Sequence, residues 1–363
     1  MTTHTIATLP GDGIGNEVVP VAVEAVDRLG ELHGFSMNWM VKDWGCDRYL
    51  KDGAMMPDNA LDQMADSDAI FLGAVGAPGV PDHVSLWGML IPIRRRFDQY
   101  VNLRPAKILR GIQSPLRDER ANNFDMVVIR ENVEGEYSAI GGRLYSGSDH
   151  ELAIQENVFT RRGVSRIMTY AFELAQKRGS HLTSATKSNG IIHTMPFWDE
   201  IFDELTSRYP SVRVDQYHID ALVAMFVLDP SRFDVVVASN LFGDILTDLS
   251  AGIAGSIGIA PSANINPEKI HPSMFEPVHG SAPDIAGKGI ANPIGQVWSA
   301  VLMLEHLGHD VAASHLMHSL EEVIASEVRT PDIGGTATTK DVASALMAQI
   351  NTDSPLYQTQ GAH

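Results

Sequence analysis

Residues 240–259 read NLFGDILTDLSAGIAGSIGI, and the fold and chemistry of the chain are best approached from there. Asp244 and Asp248 stand four apart at helical spacing, which puts both carboxylates on one face with Cβ atoms roughly 5–6 Å apart. Two like charges so placed repel and weaken an exposed helix. A divalent cation held between them removes that repulsion, and oxygen-only ligands suit a hard ion such as Mg2+ or Mn2+. An isolated D-x-x-x-D is better read as a solvated acidic face. Here the neighbours are Leu241, Phe242, Ile245, Leu246 and Leu249, then Gly252, Gly255 and Gly258, poor packing for a surface helix. The metal reading leads, provided the rest of a site exists elsewhere in the chain.

Composition limits the alternatives. A chain of 363 residues is long enough for two ordinary domains. Its 44% apolar and 20% charged content is that of a soluble globular protein. No apolar run approaches the ~20 residues that cross a bilayer, so no membrane partner is expected. The start, MTTHTIATLPGDG, lacks the basic and apolar parts of a secretory signal, and Cys46 is the only cysteine. Both fit a cytoplasmic protein. The polar tail over residues 354–363 is expected to fray. A formal charge of −18 repels nucleic acid and anionic membranes. It also repels a small anionic substrate unless the site carries its own positive charge, which makes any arginine cluster informative.

Along the chain, strand-like runs at residues 5–9, 69–74, 125–130, 182–185, 212–217 and 234–238 alternate with helical spacing. The helical stretches cover 17–32, 85–97, 164–178, 196–209 and 220–226. Such alternation indicates an α/β fold. Residues 137–159 break it with Gly141-Gly142, Ser146-Gly147 and the β-prone run ELAIQENVF. They read as a projecting hairpin that pairs with a second subunit rather than leaving an open edge. The turn Gly11-Asp12-Gly13-Ile14-Gly15 invites a dinucleotide-binding reading. Asn16 occupies the place of the third glycine of G-x-G-x-x-G, so a tight turn with positive-φ glycines is preferred.

Residues 94–105 read RRRFDQYVNLRP, and Arg130 ends the run DMVVIR. Guanidinium groups bind carboxylates bidentately and stay charged at any working pH. Arg94, Arg104 and Arg130, each at the end of a different element, could clamp a dicarboxylate, while Arg95 and Arg96 read as surface charge. Tyr137 and Lys187 are poor acid–base groups at their free pKa values. A neighbouring cation or metal lowers both into range.

Together these pieces resemble the metal-dependent β-decarboxylating dehydrogenases, the family of isopropylmalate and isocitrate dehydrogenases. The resemblance runs from the GDGIG turn to about Pro331. It is carried by NLFGDILTDLSAGIAGSIGI, IRRRFDQYVNLRP, IRENVEGEYS, the lysine of ATKSNG, HIDAL and HGSAPDIAGKGIANP. The stretch DHVSLWGMLIPIRRRFDQYVNLRP is most similar to the branch containing tartrate dehydrogenases and decarboxylating D-malate dehydrogenases.

The resemblance implies a two-domain α/β fold with a shared sheet, not a Rossmann fold. Residues 1–103 and 255–351 would form a large, discontinuous, cofactor-side domain. Residues 104–254 would form a small dimerisation and metal domain carrying the arm. It makes Arg94, Arg104 and Arg130 the substrate clamp, Asp220, Asp244 and Asp248 the metal ligands, and Tyr137 and Lys187 the acid–base groups. Lys187 and Asp220 would come from the partner subunit, implying a homodimer with shared active sites. NAD would lie on His279, Gly280, Ser281, Ala282 and Asp284, with Asn292 nearby. NADP-using relatives carry lysine and tyrosine where this chain has Asp284 and Ile285. A carboxylate there accepts ribose hydroxyls and repels a 2′-phosphate, so NAD is expected.

The implied reaction is NAD-linked oxidation, with or without decarboxylation, of a small (2R)-2-hydroxy diacid such as D-malate or tartrate, using Mg2+ or Mn2+. The alternative within the family is 3-isopropylmalate or isocitrate. Trp87 and Leu90, seven and four residues before Arg94, are expected to share its helical face, with Trp87 filling the space that takes an apolar side chain in isopropylmalate enzymes and leaving room only for a four-carbon acid. Outside the family, a Mg2+-dependent phosphoryl-transfer or hydrolytic enzyme would also use aspartates, but the chain has no G-x-x-x-x-G-K-[ST] loop. A non-catalytic metal- or dinucleotide-binding protein would make Tyr137 and Lys187 dispensable.

Overall fold

The computed structural model describes residues 2–117 and 123–358. They contain the strands β1 (Thr2–Gly11), β2 (Phe35–Val41), β3 (Ala69–Ala74), β4 (Val101–Lys107), β5 (Asp125–Glu131), β6 (Gly141–Leu144), β7 (Leu152–Gln155), β8 (His181–Thr186), β9 (Arg213–His218), β10 (Val235–Ala238), β11 (Pro261–Ile265) and β12 (Ser273–Pro277), interspersed with helices. The architecture is mixed α/β. Two compact units are present: Met1–Gln99 with Lys107–Arg117 and Ala251–His363, and Tyr100–Ala106 with Asp118–Ser250. The segment Lys107–Arg117, expected on the small-domain side, packs within the first unit.

In the first unit the strand order is β2-β1-β3-β12-β11. β1 pairs in parallel with β2 and β3, β12 runs parallel to β3, and β11 is antiparallel to β12. All six residues of β3, AIFLGA, are buried, as expected for a parallel strand covered on both faces. Helix Gly15–His33 lays Val18, Ala22, Val26 and Leu29 on this layer, and helix Ile294–His306 is buried along most of its length. The glycine-rich turn behaves as a tight turn. Gly11 and Gly13 have φ of 70° and 53°. A Cβ on Gly13 would lie 2.1 Å from the Ser281 carbonyl oxygen. Ile14 N–H donates to that same oxygen at 2.9 Å, so the turn is pinned against the loop at 279–284.

The helix expected over 85–97 is present but interrupted. Asp82–Ser85 and Ile91–Arg96 are α-helical, whereas Leu86–Leu90 is a π turn in which Ile91 N–H reaches back to Leu86 O. Pro92 follows at once and has no N–H to continue the ordinary ladder. The wider turn alters the expected shared face: Arg94 is buried, but Trp87 is 37% exposed and its ring lies 5.1 Å from the Arg95 guanidinium.

In the second unit the order is β4-β5-β10-β8-β9, with β5, β10, β8 and β9 mutually parallel. Helix Arg161–Lys177 is capped by Thr160, whose side chain accepts from Gly163 N–H. Helix Asn240–Ala254 follows β10 after a single residue, so its first turn stands at the C-terminal end of the parallel strands, the usual location of ligands in such sheets. Residues 141–144 and 152–155 form an exposed antiparallel ribbon, Gly141 opposite Gln155, where the hairpin was expected. Among the described residues no helix is long and apolar enough to cross a membrane. Residues 354–358, expected to fray, continue the last helix, Thr339–Gln358; residues 359–363 lie outside the described residues.

Candidate active site

The second unit gathers five of the singled-out residues into one cluster. Arg130 ends the buried face of β5 and is 2% exposed; Arg104, on β4, is 8% exposed. Both reach helix Asn240–Ala254. Arg130 Nη1 makes a short contact with Asp244 Oδ1. Arg104 Nη1 lies 3.5 Å from the same oxygen and 3.9 Å from Asp248 Oδ1. Tyr137 donates its hydroxyl to Asp244 Oδ2 at 2.8 Å, and its ring lies 5.5 Å from the Arg130 guanidinium. Two buried cations and one phenol therefore meet two carboxylates carried on the second and third turns of one helix.

Neutral groups that the sequence did not flag hold this cluster. Asn240 Oδ1 accepts from Arg130 Nε at 3.1 Å and Nη2 at 2.7 Å, while Asn240 Nδ2 donates to Glu134 O at 3.0 Å. Thr247 Oγ1 accepts from Arg104 Nη1 at 2.6 Å. Glu136, the neighbour of Tyr137, accepts from Ser239 Oγ at 2.7 Å and Leu241 N–H at 3.0 Å. A carboxylate at a helix N-terminus is favoured both by the free N–H groups and by the helix dipole. Asn240, Thr247 and Glu136 look like ordinary caps in a single sequence; only the glycine beside them hinted at a close approach. A Cβ on Gly243 would sit 2.6 Å from Arg130 Cβ and Cγ.

The electrostatics differ from expectation at Tyr137. Its hydroxyl is held above the ordinary tyrosine value, first by burial and then by the Asp244 charge, and Arg130 only partly offsets this. The group keeps its proton at neutral pH, which suits a proton donor. Glu131, fully buried beside Arg130, accepts Glu134 N–H at 2.8 Å; burial pushes its carboxyl up to about 7.

Lys187 and Asp220 come together with each other: Lys187 Nζ donates to Asp220 Oδ1 at 2.8 Å. That hydrogen bond holds the Asp220 carboxyl below its usual range. Both are partly exposed, at 29% and 69%. Among the described residues no three histidine, cysteine or acidic side chains of one chain are grouped as a metal site. Asp244 and Asp248 supply oxygen donors of the type a hard divalent ion takes, and Asp248 is 63% exposed.

In the first unit Arg94 donates to Glu276 Oε1 at 2.8 Å, and the same oxygen accepts from Asn264 Nδ2 at 2.7 Å. The loop at 279–284 follows β12. Ser281 is buried, Ala282 adopts φ of 41°, and Asp284 is exposed. His279 Nδ1 lies 3.0 Å from Gly280 O, and burial holds its imidazole below the ordinary value, hence neutral at pH 7. Among the described residues its Nε2 is buried without a hydrogen-bond partner, and a Cβ on Gly280 would meet nothing within 4 Å. A buried polar atom without a protein partner fits a loop that binds a polar cofactor. Asn292 is used internally. Its Nδ2 donates to Asp332 Oδ2 at 2.9 Å and its Oδ1 accepts from Ile294 N–H at 3.0 Å. Asp332, which the sequence did not flag, also accepts from Ser256 Oγ at 2.7 Å.

Residues 5–346 match the family model described as isocitrate/isopropylmalate dehydrogenase. The chain is 54% identical over 347 residues to a probable tartrate dehydrogenase/decarboxylase of Bacillus subtilis, covering 95% of this chain and 97% of that protein. It is 53% identical over 354 residues to the decarboxylating D-malate dehydrogenase of Escherichia coli, covering 95% and 98%. Among solved structures, the isocitrate dehydrogenase of Methylococcus capsulatus superposes with a TM-score of 0.85 at 34% identity, over 96% of this chain and 99% of that one.

Proposed function

The chain belongs to the isocitrate/isopropylmalate dehydrogenase family, and from that premise we propose that it catalyses metal-dependent, NAD-linked oxidation of a small (2R)-2-hydroxy diacid such as D-malate or tartrate, with or without decarboxylation. The single observation that best supports this reading is the convergence of Arg104, Arg130 and Tyr137 on Asp244.

Arg104 and Arg130, with Arg94, grip the two carboxylates of the acid. Asp244 and Asp248, with Asp220 of the partner subunit, hold the divalent cation, and the loop at 279–284 with Asn292 holds NAD. When bound, the cation draws electron density from the hydroxyl and keto oxygens, and NAD accepts the hydride from C2. Lys187 of the partner subunit takes the hydroxyl proton, directly or through water. With D-malate, the C3–carboxylate bond then breaks, CO2 leaves, and Tyr137 returns a proton to C3, giving pyruvate. With tartrate, oxidation can stop at the keto acid. This division of labour requires a homodimer, and the exposed apolar side chains of the ribbon, Leu144, Leu152 and Ile154, suit pairing with a second copy. Asp284 favours NAD over NADP because a carboxylate repels a 2′-phosphate.

The test is NADH formation with D-malate, the tartrate isomers, 3-isopropylmalate and isocitrate, each with Mg2+ or Mn2+ and with the products identified. Turnover confined to the four-carbon acids is expected. Preference for isopropylmalate or isocitrate overturns the substrate assignment, and full activity after chelation overturns the metal assignment.

A further inference from the structure

Arg130 is fixed by a neutral residue. Asn240 is 3% exposed, and its amide is bonded on both sides. Oδ1 accepts two donors of the guanidinium edge, and Nδ2 donates to the Glu134 carbonyl. Only this amide orientation satisfies both neighbours, because the guanidinium offers donors alone and the carbonyl accepts alone. The remaining edge of Arg130 is thereby aimed at the Asp244 side of the helix. An aspartate at position 240 would have nearly the same shape, but would form a charged, bidentate pair with Arg130 and cancel its charge.

We propose that Asn240 is a positioning residue that holds Arg130 in one orientation without adding a second carboxylate to the one, Asp244, that already meets it. The inference rests on the reading of Arg130 as part of the carboxylate clamp. It assigns Asn240 an effect on dicarboxylate binding, transmitted through Arg130, and none on NAD.

Steady-state kinetics of Asn240→Asp, Asn240→Ala and Asn240→Ser in the full-length enzyme test it. Asn240→Asp is expected to raise the KM for the diacid by on the order of tenfold or more, to flatten its dependence on ionic strength, and to leave the KM for NAD unchanged. Asn240→Ala raises the diacid KM by loss of orientation. Asn240→Ser keeps a neutral oxygen acceptor and restores it to within about threefold of wild type. If Asn240→Asp fails to fold, the Ala and Ser pair decides the matter by the same KM split. An unchanged diacid KM in Asn240→Asp and Asn240→Ala overturns the proposal. So does a parallel loss of kcat, NAD affinity and diacid affinity in all three variants, the mark of a merely structural residue. Wild-type enzyme that turns over no 2-hydroxy diacid overturns the functional reading itself; active wild type with indifferent variants overturns only the role of Asn240.

Discussion

Gly243→Ala is a small change with a calculable consequence. The added Cβ would lie 2.6 Å from Arg130 Cβ and Cγ and 3.1 Å from its Cα. Carbon atoms rest at about 3.5–4.0 Å, so the two groups must separate by about 1 Å. Arg130 has little room to retreat: its strand is buried along most of its length and its guanidinium is tied to Asn240. The helix must give instead, carrying Asp244 with it. Replacing glycine with alanine in a helix interior contributes about 1 kcal/mol of stability, and overpacking a dense site removes about 1–3 kcal/mol. The net change is a loss of up to about 2 kcal/mol. The kinetic effect is larger, since a displacement of about 1 Å in a positioned group lowers turnover by on the order of 100-fold. Gly252→Ala, in the same helix, is the control: its Cβ would meet nothing within 4 Å, so only the favourable term of up to about 1 kcal/mol remains. Denaturant unfolding and kcat/KM for both variants are the assay. Gly243→Ala with wild-type kcat/KM, or Gly252→Ala with an equal loss, refutes the reasoning.

Three further outcomes follow from the structure. Glu131 has a folded-state pKa of about 7 against 4.5 for the free group, so its stabilising protonation is complete below about pH 4.5 and lost as pH rises through 7. Glu131→Gln should therefore raise the unfolding midpoint at pH 8, by up to about 3 kcal/mol in stability, and change little at pH 4. Cys46 is fully buried, and its thiol is pushed up to about 12 by burial and then by Asp12; alkylating reagents should leave it untouched in native protein and modify it in denaturant. Mixing inactive Tyr137→Phe and Lys187→Ala homodimers, with subunit exchange, should restore about a quarter of the sites if each site draws on both chains; no recovery would place Tyr137 and Lys187 in the same chain's site.

What could be read in advance, and what could not, follows from how each feature is encoded. The D-x-x-x-D pair and its helix were legible because their periodicity is local. Arg104 and Arg130 were legible as chemistry, and Asp244 is where they meet. The π turn at Leu86–Leu90 was not, because the donor missing at Pro92 can be absorbed in several ways and only packing chooses among them. β2 was also not expected, and β4, β11 and β12 were missed for a different reason. Pro105 lies within β4, β11 begins at Pro261 and β12 ends at Pro277, none of the three alternates cleanly, and their pairing is purely tertiary. The residues hidden from sequence reading, Asn240, Thr247 and Glu136 in the second unit and, separately, Asp332 in the first, are common helix-cap and turn residues whose partners lie far away in sequence.

The net charge of −18 and the dianionic substrate proposed for this chain set a problem that the site's construction answers. Over distances beyond a Debye length of about 8–10 Å, salt screens the repulsive field. Within that distance the outcome depends on a few fixed charges. Arg104 and Arg130 are nearly inaccessible to water, so their fields are weakly screened, and both are anchored in part by neutral oxygens, Thr247 Oγ1 and Asn240 Oδ1. Asp244 is the acidic group they meet, and it is also a proposed metal ligand. A cation bound at Asp244 would compete with the arginines for its charge and leave them freer to bind a carboxylate. In this arrangement metal and diacid binding would reinforce one another electrostatically, before any direct contact between metal and substrate is considered.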